Sequence, residues 1–325
     1  MQAIRLFKSD RNLQGGIQLA GSKSISNRAL IVLALANADP AHYLSRLANA
    51  RDTVTLQRLL AQSETTYDAG DAGTTFRFLT AYLATRPGMQ ILTGSARMQE
   101  RPVGALVEAL QSLGADIRFL EKEGYPPLQI GEPKNLGVAS REVCIQADTS
   151  SQFLSALLLI APYMPQGLVL IPEGPLVSRP YLEMTVQLMR YFGAQVDWQG
   201  DHIQVSPGHY TPKPLVIEAD WSAASYWYAL AAFADKLDFR LGGLFADSWQ
   251  GDAVLAKMML EFGVQTNFEA DGLHLTRSDQ APRPIFEWDF LDCPDLAQTL
   301  AVVCAGLGRQ GLFTGLDTLA IKETD

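Results

Sequence analysis

Five segments of the chain share one pattern, in which a short polar start is followed by a run of alanine, leucine and other apolar residues. They span residues 22–36, 72–84, 150–162, 221–234 and 293–307. Each run is apolar on nearly all sides of a helix, which is typical of helices that are surrounded by protein. The pattern therefore predicts an α/β fold with helices inside a domain and strands outside, the reverse of a doubly wound sheet.

A second type of helix, amphipathic and with a charged start, follows most of these segments. The clear examples cover 101–119, 179–198 and 251–268, and a weaker copy covers 51–68. In the clear examples a glycine takes the position where the helix ends, and an alternating strand comes next; these glycines are Gly114, Gly193 and Gly263. Further strand-like stretches lie between the two helix types, at 90–94, 168–172 and 238–243.

Buried helix, strand, amphipathic helix and strand together form one repeated unit. Repetition at this length indicates stacked supersecondary units. The fifth unit contains a buried helix and a strand and stops before its second helix, so we expect the chain to end within a unit.

The polar start GSKSISNRAL (21–30) places Lys23 and Arg28 among small and hydroxyl-bearing residues. A helix N-terminus carries partial positive charge and unpaired N–H groups, so cations there need an anion between them. The alternative is a capped core helix with a solvated lysine and a paired arginine. Because polar starts recur in front of the other buried helices, we favour an anion site.

Composition limits the possible partners. A net charge of -9 and a pI near 5.0 argue against a nucleic-acid binder and a basic membrane-surface protein. Neither the three cysteines (Cys144, Cys293 and Cys304) nor the four scattered histidines have metal-ligand spacing, so we expect no metal site and a reducing compartment. The sequence shows no apolar leader and no apolar run of about 18 residues, which predicts a cytoplasmic protein.

Eight motifs, in order along the whole chain, carry a resemblance to a known family. They are GSKSISNRAL, AGTTFRFLTAYLA, RMQERPVGALVEALQSLGA, SSQFLSALL, SRPYLEMT, EADWSAASY, CPDLAQTLAV and IKETD. The chain resembles 5-enolpyruvylshikimate-3-phosphate synthase, also called 3-phosphoshikimate 1-carboxyvinyltransferase. Their length and order make them far more specific than a lone glycine motif.

The resemblance implies a two-domain, inside-out α/β fold of six similar units, with the active site between the domains. Five of the six units are visible in this chain, and the C-terminal part of the family's chain is lacking. Mapped onto this sequence, the first domain is discontinuous and covers 1–19 with 218–325. The second domain covers 20–217.

The implied reaction transfers the carboxyvinyl (enolpyruvyl) group of phosphoenolpyruvate to the 5-hydroxyl of shikimate 3-phosphate and releases phosphate. It belongs to the shikimate pathway of aromatic amino-acid biosynthesis. Cations must neutralise the anionic substrates, and acid and base groups must move the protons. We expect no metal or organic cofactor, no nucleic-acid or membrane partner, and a monomer.

The resemblance also implies site residues. For shikimate 3-phosphate these are Lys23, Ser24, Arg28, Ser150, Ser151, Gln152, Ser178, Tyr181, Asp295 and Lys322. For phosphoenolpyruvate they are Lys23, Gly73, Thr74, Arg101 and Gln152. The implied catalytic residues are Lys23, Asp295 and Glu323, and which carboxylate is the base stays open. Without the resemblance, the serines and Asp295 are interpreted as helix caps and KETD as a solvated charge run.

One position departs from the family. Asp71 stands where the family usually has asparagine, and an acid beside an anionic ligand is repulsive unless it is paired or turned away. Its contact is therefore not carried over to this chain.

The sequence leaves three alternatives to the synthase. A UDP-N-acetylglucosamine enolpyruvyl transferase would show Lys-Asn at 23–24 and usually a cysteine in GSARMQERP, and neither is present. A truncated form could bind shikimate 3-phosphate without turnover, which the missing end favours. The presence of the implied residues argues against it; these are Lys23, Arg101, Asp295 and Glu323. An RNA-terminal phosphate cyclase has a related architecture, but the acidic balance of this chain argues against RNA.

Overall fold

The structure is a computed structural model that describes residues 10–146, 150–174, 176–280, 283–316 and 319. The backbone divides into two compact units. Unit 1 comprises Met1–Ala20 and Glu218–Asp325, and unit 2 comprises Gly21–Ile217.

Helices and strands are interspersed along the chain. The helices are α1 (Lys23–Leu35), α2 (Pro40–Tyr43), α3 (Arg51–Ala61), α4 (Gly73–Leu83), α5 (Ala96–Gln99), α6 (Gly104–Ser112), α7 (Ser151–Ile160), α8 (Arg179–Tyr191), α9 (Trp221–Phe233), α10 (Leu255–Leu260) and α11 (Ala297–Gly306). The strands are β1 (Asn12–Gln18), β2 (Leu44–Ser45), β3 (Thr66–Asp68), β4 (Gln90–Thr93), β5 (Ile117–Phe119), β6 (Leu128–Ile130), β7 (Glu142–Gln146), β8 (Leu168–Glu173), β9 (Val196–Gln199), β10 (His202–Val205), β11 (Leu215–Val216), β12 (Lys236–Gly242), β13 (Val264–Glu269), β14 (Gly272–Arg277), β15 (Ile285–Asp289) and β16 (Gln310–Thr314). Among these helices, none is long and apolar enough to cross a membrane.

Unit 2 has its helices inside. Every residue of α4 is buried, and so is most of α1 and α7. These three helices pack on one another, and the amphipathic helices α3, α6 and α8 pack around them. Strands β7 and β10 alternate buried and exposed residues, so one face of the sheet that contains them is open to water. The predicted inside-out arrangement is confirmed in this unit.

Three four-stranded sheets repeat one topology. Their orders are β3-β4-β6-β5 and β7-β8-β10-β9 in unit 2, and β1-β12-β14-β13 in unit 1. In each sheet the first pair of strands is parallel and the two following pairs are antiparallel. The parallel pair β15-β16 has the same form as the first pair of these sheets. The repeated unit predicted from the sequence is confirmed.

The glycines predicted to end the amphipathic helices have left-handed backbone conformations. Their φ angles are +96° at Gly114, +92° at Gly193 and +74° at Gly263. Glycine adopts this conformation without the Cβ penalty of other residues. At Gly114 an added Cβ would also lie 2.4 Å from the carbonyl oxygen of Asn135, so no larger residue fits.

Unit 1 departs from the prediction that all five apolar helices are surrounded by protein. Its core contains Trp221, Tyr228 and Leu300 from α9 and α11. Other residues of these helices face water: Tyr226 is 68% exposed and Val302 is 61% exposed. The prediction is wrong here because, within the part of the chain that the structure describes, nothing covers the second face of either helix. A 3₁₀ turn, Pro294–Leu296, also precedes α11, which starts later than the pattern indicates.

Candidate functional site

Arg28 ties three helices of unit 2 together. It is only 2% exposed, and within α1 its Nη1 donates to the carbonyl oxygen of Ser24 (2.9 Å). Its Nη2 donates to Ser155 Oγ on α7 (3.1 Å). On α8, Nε donates to Thr185 Oγ1 (2.7 Å) and Nη2 to the carbonyl oxygen of Tyr181 (3.3 Å). Ser24, Ser155 and Tyr181 lie in the first halves of their helices and Thr185 lies at the middle of α8, so the three helices begin at the same end of the unit.

Helix α4 joins them at that end. Gln152 Nε2, in the first turn of α7, donates to Thr74 Oγ1 in the first turn of α4 (3.3 Å). The guanidinium of Arg28 also lies over the ring of Phe78, 5.4 Å from its centroid. We call the first turns of α1, α4, α7 and α8 the helix-start cluster; they begin at Lys23, Gly73, Ser151 and Arg179. Four helix N-termini with unpaired N–H groups favour an anion at this end.

The residues that precede these helices have different geometries. Ser150 Oγ accepts from the backbone N–H of Gln152 (3.2 Å), so this serine is a helix cap, and its hydroxyl proton has no acceptor among the described residues. Ser178 is buried and left-handed, with φ at +57°, and its side chain makes no cap hydrogen bond. A left-handed conformation costs a non-glycine residue roughly 1–2 kcal/mol, and such costs are typical of functional positions.

Two arginines converge on Gly73. A Cβ built on Gly73 would lie 2.5 Å from Nη1 of Arg101 and 3.0 Å from Nη1 of Arg77. Arg101 follows α5, and among the described residues its guanidinium has no hydrogen-bond or ion-pair partner. A larger residue at this position would push the end of the Arg101 side chain away from the start of α4.

Buried positive charge is concentrated at this site. Burial lowers the pKa of Arg28 to about 10. Burial, and to a smaller extent the charge of Arg101, lowers the pKa of Arg77 to about 9. Both groups stay protonated at neutral pH, so the site presents cations whose burial a bound anion would compensate.

Asp71, the departure from the family pattern, is paired. Its Oδ1 accepts a hydrogen bond from Ser95 Oγ, and its Oδ2 lies 3.9 Å from Nη1 of Arg51. The hydrogen bond with Ser95 joins the loop before α4 to the loop before α5, and the ion pair with Arg51 joins it to the start of α3.

The remaining predicted residues lie in unit 1 or outside the described residues. Asp295 is exposed and lies in the turn before α11, so it is next to a helix start as expected. Lys322 and Glu323 lie outside the described residues.

In unit 2 the structure brings together Lys23, Ser24 and Arg28 of α1, Gly73 and Thr74 of α4, Ser150, Ser151 and Gln152 at α7, Ser178 and Tyr181 at α8, and Arg101 beside Gly73.

Sequence reasoning missed three polar residues of this site. Ser155 and Thr185 hold Arg28, and Arg77 accompanies Arg101. Ser155 and Arg77 each lie four residues into an apolar helix, and Thr185 is a buried residue of the amphipathic helix α8. Arg77 follows Gly73 by four, which places both on one helical face. That spacing, and the presence of polar residues in otherwise apolar runs, were the available signals.

Solved structures share the fold. The structure matches EPSP synthase from Acinetobacter baumannii with a TM-score of 0.72 at 18% identity, covering 98% of this chain and 77% of that one. It matches the enolpyruvyl transferase NikO from Streptomyces tendae with a TM-score of 0.62 at 16% identity, covering 91% of this chain and 73% of that one. The fold is thus the inside-out α/β fold of the enolpyruvyl transferases.

Sequence comparisons define the family. The family model described as EPSP synthase (3-phosphoshikimate 1-carboxyvinyltransferase) matches residues 42–325. A 3-phosphoshikimate 1-carboxyvinyltransferase of Bacteroides fragilis is 44% identical over 321 residues, which is 98% of this chain and 77% of the relative. One of Neisseria meningitidis serogroup B is 37% identical, over 95% of this chain and 76% of the relative. The chain belongs to the EPSP synthase family.

Proposed function

We propose that this chain transfers the carboxyvinyl group of phosphoenolpyruvate to the 5-hydroxyl of shikimate 3-phosphate and releases phosphate. This is the reaction of the shikimate pathway to aromatic amino acids, and relatives at 44% and 37% identity bear its name. The observation that carries the proposal is the helix-start cluster, where four helix N-termini and several arginines meet. Such a site suits substrates that each carry a phosphate and a carboxylate.

The phosphoenolpyruvate site is proposed at the start of α4. The backbone N–H of Gly73 and the hydroxyl of Thr74 donate to the anion, and Arg101 supplies a forked donor. Gln152, already hydrogen-bonded to Thr74, borders the same ligand. Lys23, the first residue of α1, contacts both substrates.

Shikimate 3-phosphate is proposed to bind at the starts of α1, α7 and α8. Ser150 and Ser151 donate to its phosphate from the start of α7, and Ser178 and Tyr181 donate from the start of α8. Ser24, Arg28 and Lys322 complete the set, with Ser24 and Arg28 at the ring and its carboxylate.

Arg28 acts mainly by alignment in this proposal. Four hydrogen bonds to protein atoms use four of its five N–H groups. One Nη1 proton therefore remains for the substrate carboxylate, while the other bonds hold three helix starts in place.

Lys23, Asp295 and Glu323 are proposed to share the proton transfers. The 5-hydroxyl loses its proton as its oxygen attacks carbon 2 of phosphoenolpyruvate, and the methylene carbon gains a proton. The tetrahedral intermediate then loses a proton from that carbon and expels phosphate. An Asp295→Ala variant should bind both substrates and turn over poorly, and near-normal turnover would end its catalytic assignment.

We further propose that units 1 and 2 correspond to the two domains, with boundaries at 1–19 with 218–325 and at 20–217. The protein is proposed to work as a cytoplasmic monomer without metal or organic cofactor. Light scattering of the purified protein at the mass of a dimer would contradict the monomer.

Phosphate release tests the reaction. The purified protein is mixed with phosphoenolpyruvate, shikimate 3-phosphate or both, and wild type is compared with Arg101→Gln and the control Arg118→Gln. Arg118 is exposed on β5 and pairs with Asp116 at 3.4 Å, away from the cluster. We expect release only with both substrates, lost in Arg101→Gln and kept in Arg118→Gln. Release by neither wild type nor the control would refute the assignment.

A further inference from the structure

Arg77 is a buried cation to which the resemblance gives no role. It is 6% exposed, and its guanidinium lies over the ring of Phe153, 5.5 Å from the centroid. Its Nη1 donates to the carbonyl oxygen of Gly73 (2.9 Å). Its Nε is buried and has no hydrogen-bond partner among the described residues.

A purely structural role explains Arg77 poorly. The carbonyl oxygen of Gly73 is at the start of α4, where the helical i to i+4 hydrogen bond already satisfies it, so the arginine is not needed as a partner. A buried guanidinium with an unused N–H costs free energy that a neutral side chain would avoid. The position therefore carries a charge that the fold itself does not require.

The nearby charges point to an anion. Nη1 of Arg77 and Nη1 of Arg101 both lie within 3.0 Å of the Cβ position of Gly73, so two positive groups meet at one helix N-terminus. The charge of Arg101 lowers the pKa of Arg77, and the negative charge that opposes this effect is Asp52. An anionic group beside Gly73 would attract both arginines and so offset the repulsion between them.

We propose that Arg77 is a positioning residue of the phosphoenolpyruvate site, which fixes the first turn of α4 and holds a second positive charge behind the anion that Gly73 and Arg101 bind. Arg77 is fixed by burial, whereas Arg101 lies on a partly exposed segment that can adjust to the ligand. The naming of the ligand rests on the proposed function. The presence of an anion does not, because inorganic phosphate can fill the same place.

The test compares Arg77→Gln and Arg77→Lys with the control Arg86→Gln. Arg86 lies three residues beyond the C-terminal end of α4, over the ring of Tyr82 at 5.6 Å, so its replacement removes one positive charge at the end of α4 opposite the cluster. Calorimetry measures binding of inorganic phosphate, and steady-state kinetics measures the KM of each substrate separately.

We expect Arg77→Gln to weaken phosphate binding and to raise the KM for phosphoenolpyruvate by about tenfold to a hundredfold, with the KM for shikimate 3-phosphate unchanged. Arg77→Lys keeps the charge but loses the forked donor, so its effects should be smaller, near about threefold. The control should match wild type. Unchanged phosphate affinity in Arg77→Gln, or an equal rise in both KM values, would overturn the proposal.

If Arg77→Gln does not fold, the KM values of Arg77→Lys test the proposal instead. A raised KM for phosphoenolpyruvate alone supports the proposal, and a wild-type value overturns it. Failure of the proposed function is separately visible: a wild-type protein that binds phosphate through Arg77 without turnover would refute the reaction and leave the anion site standing.

Discussion

Replacing Arg28 with lysine tests whether the helix-start cluster depends on one side chain. Arg28 donates four hydrogen bonds that join α1, α7 and α8, and it is almost fully buried. Lysine keeps the charge but has one nitrogen on a flexible stem, so it cannot reach partners on three helices at once. We expect the variant to lose at least two of the four hydrogen bonds.

The loss of stability expected for Arg28→Lys depends on whether the hydrogen-bond acceptors of Arg28 keep other partners. Hydrogen bonds from charged groups are worth about 1.5–3 kcal/mol each. Ser155 and Thr185 also bond to each other (2.9 Å), and Thr185 donates to the carbonyl oxygen of Tyr181 (2.8 Å), so no acceptor is left without a partner. The expected loss is therefore about 2–4 kcal/mol rather than the full sum.

Urea unfolding measures this loss. Arg190→Lys is the matched control, because Arg190 is an arginine of α8 that donates to the carbonyl oxygen of Val196 at 2.8 and 3.1 Å on the exposed surface. We expect a loss below about 0.5 kcal/mol for the control. A loss in Arg28→Lys below about 1 kcal/mol, equal to that of the control, would refute the role of Arg28 as the link between the helix starts.

Three further outcomes are expected. Gly73→Ala places a Cβ 2.5 Å from Nη1 of Arg101, so the KM for phosphoenolpyruvate should rise about tenfold with helicity preserved, and an unchanged KM would contradict the geometry of this site. A hydrogen bond from Arg283 lowers the pKa of Glu261 below its ordinary value of 4.5, so unit 1 should lose stability as the pH falls below 4.5. A Glu261→Gln variant should lack that loss, and an unchanged pH profile in it would exclude this carboxylate as the cause. Cys144 is exposed, whereas burial raises the pKa of the thiols of Cys293 and Cys304. A thiol reagent should therefore label Cys144 rapidly and the other two slowly, and rapid labelling of all three would contradict the burial of Cys293 and Cys304.

Much of the fold could be predicted because the signals are local. The apolar runs at α1, α4 and α7 and the glycines that end α6, α8 and α10 depend only on neighbouring residues, and the structure confirms them. The exposed faces of α9 and α11 could not be predicted, because an apolar run does not indicate which other segments pack on each side of the helix. Tyr226 and Val302 are exposed although their runs are as apolar as the buried ones.

The site was predictable only in part. Motif resemblance found Gly73 and Arg101 separately, but their convergence with Arg77 depends on how the segment after α5 meets the start of α4. The pairing of Asp71 with Ser95 likewise joins two loops that are 24 residues apart in sequence. The four-residue spacing of Gly73 and Arg77 is visible in the sequence, whereas the approach of Arg101 and the pairing of Asp71 with Ser95 are set by tertiary structure and follow no period or spacing.

The proposed reaction moves a carboxyvinyl group from one bound anion to another. Phosphorus NMR of the protein with phosphoenolpyruvate and shikimate 3-phosphate tests it most directly, because it follows all phosphorus-containing species together. We predict that the phosphoenolpyruvate signal is replaced by inorganic phosphate while the shikimate 3-phosphate signal shifts to that of its enolpyruvyl ether. Phosphate formed with the shikimate 3-phosphate signal unchanged, or no change in either substrate, would contradict the account.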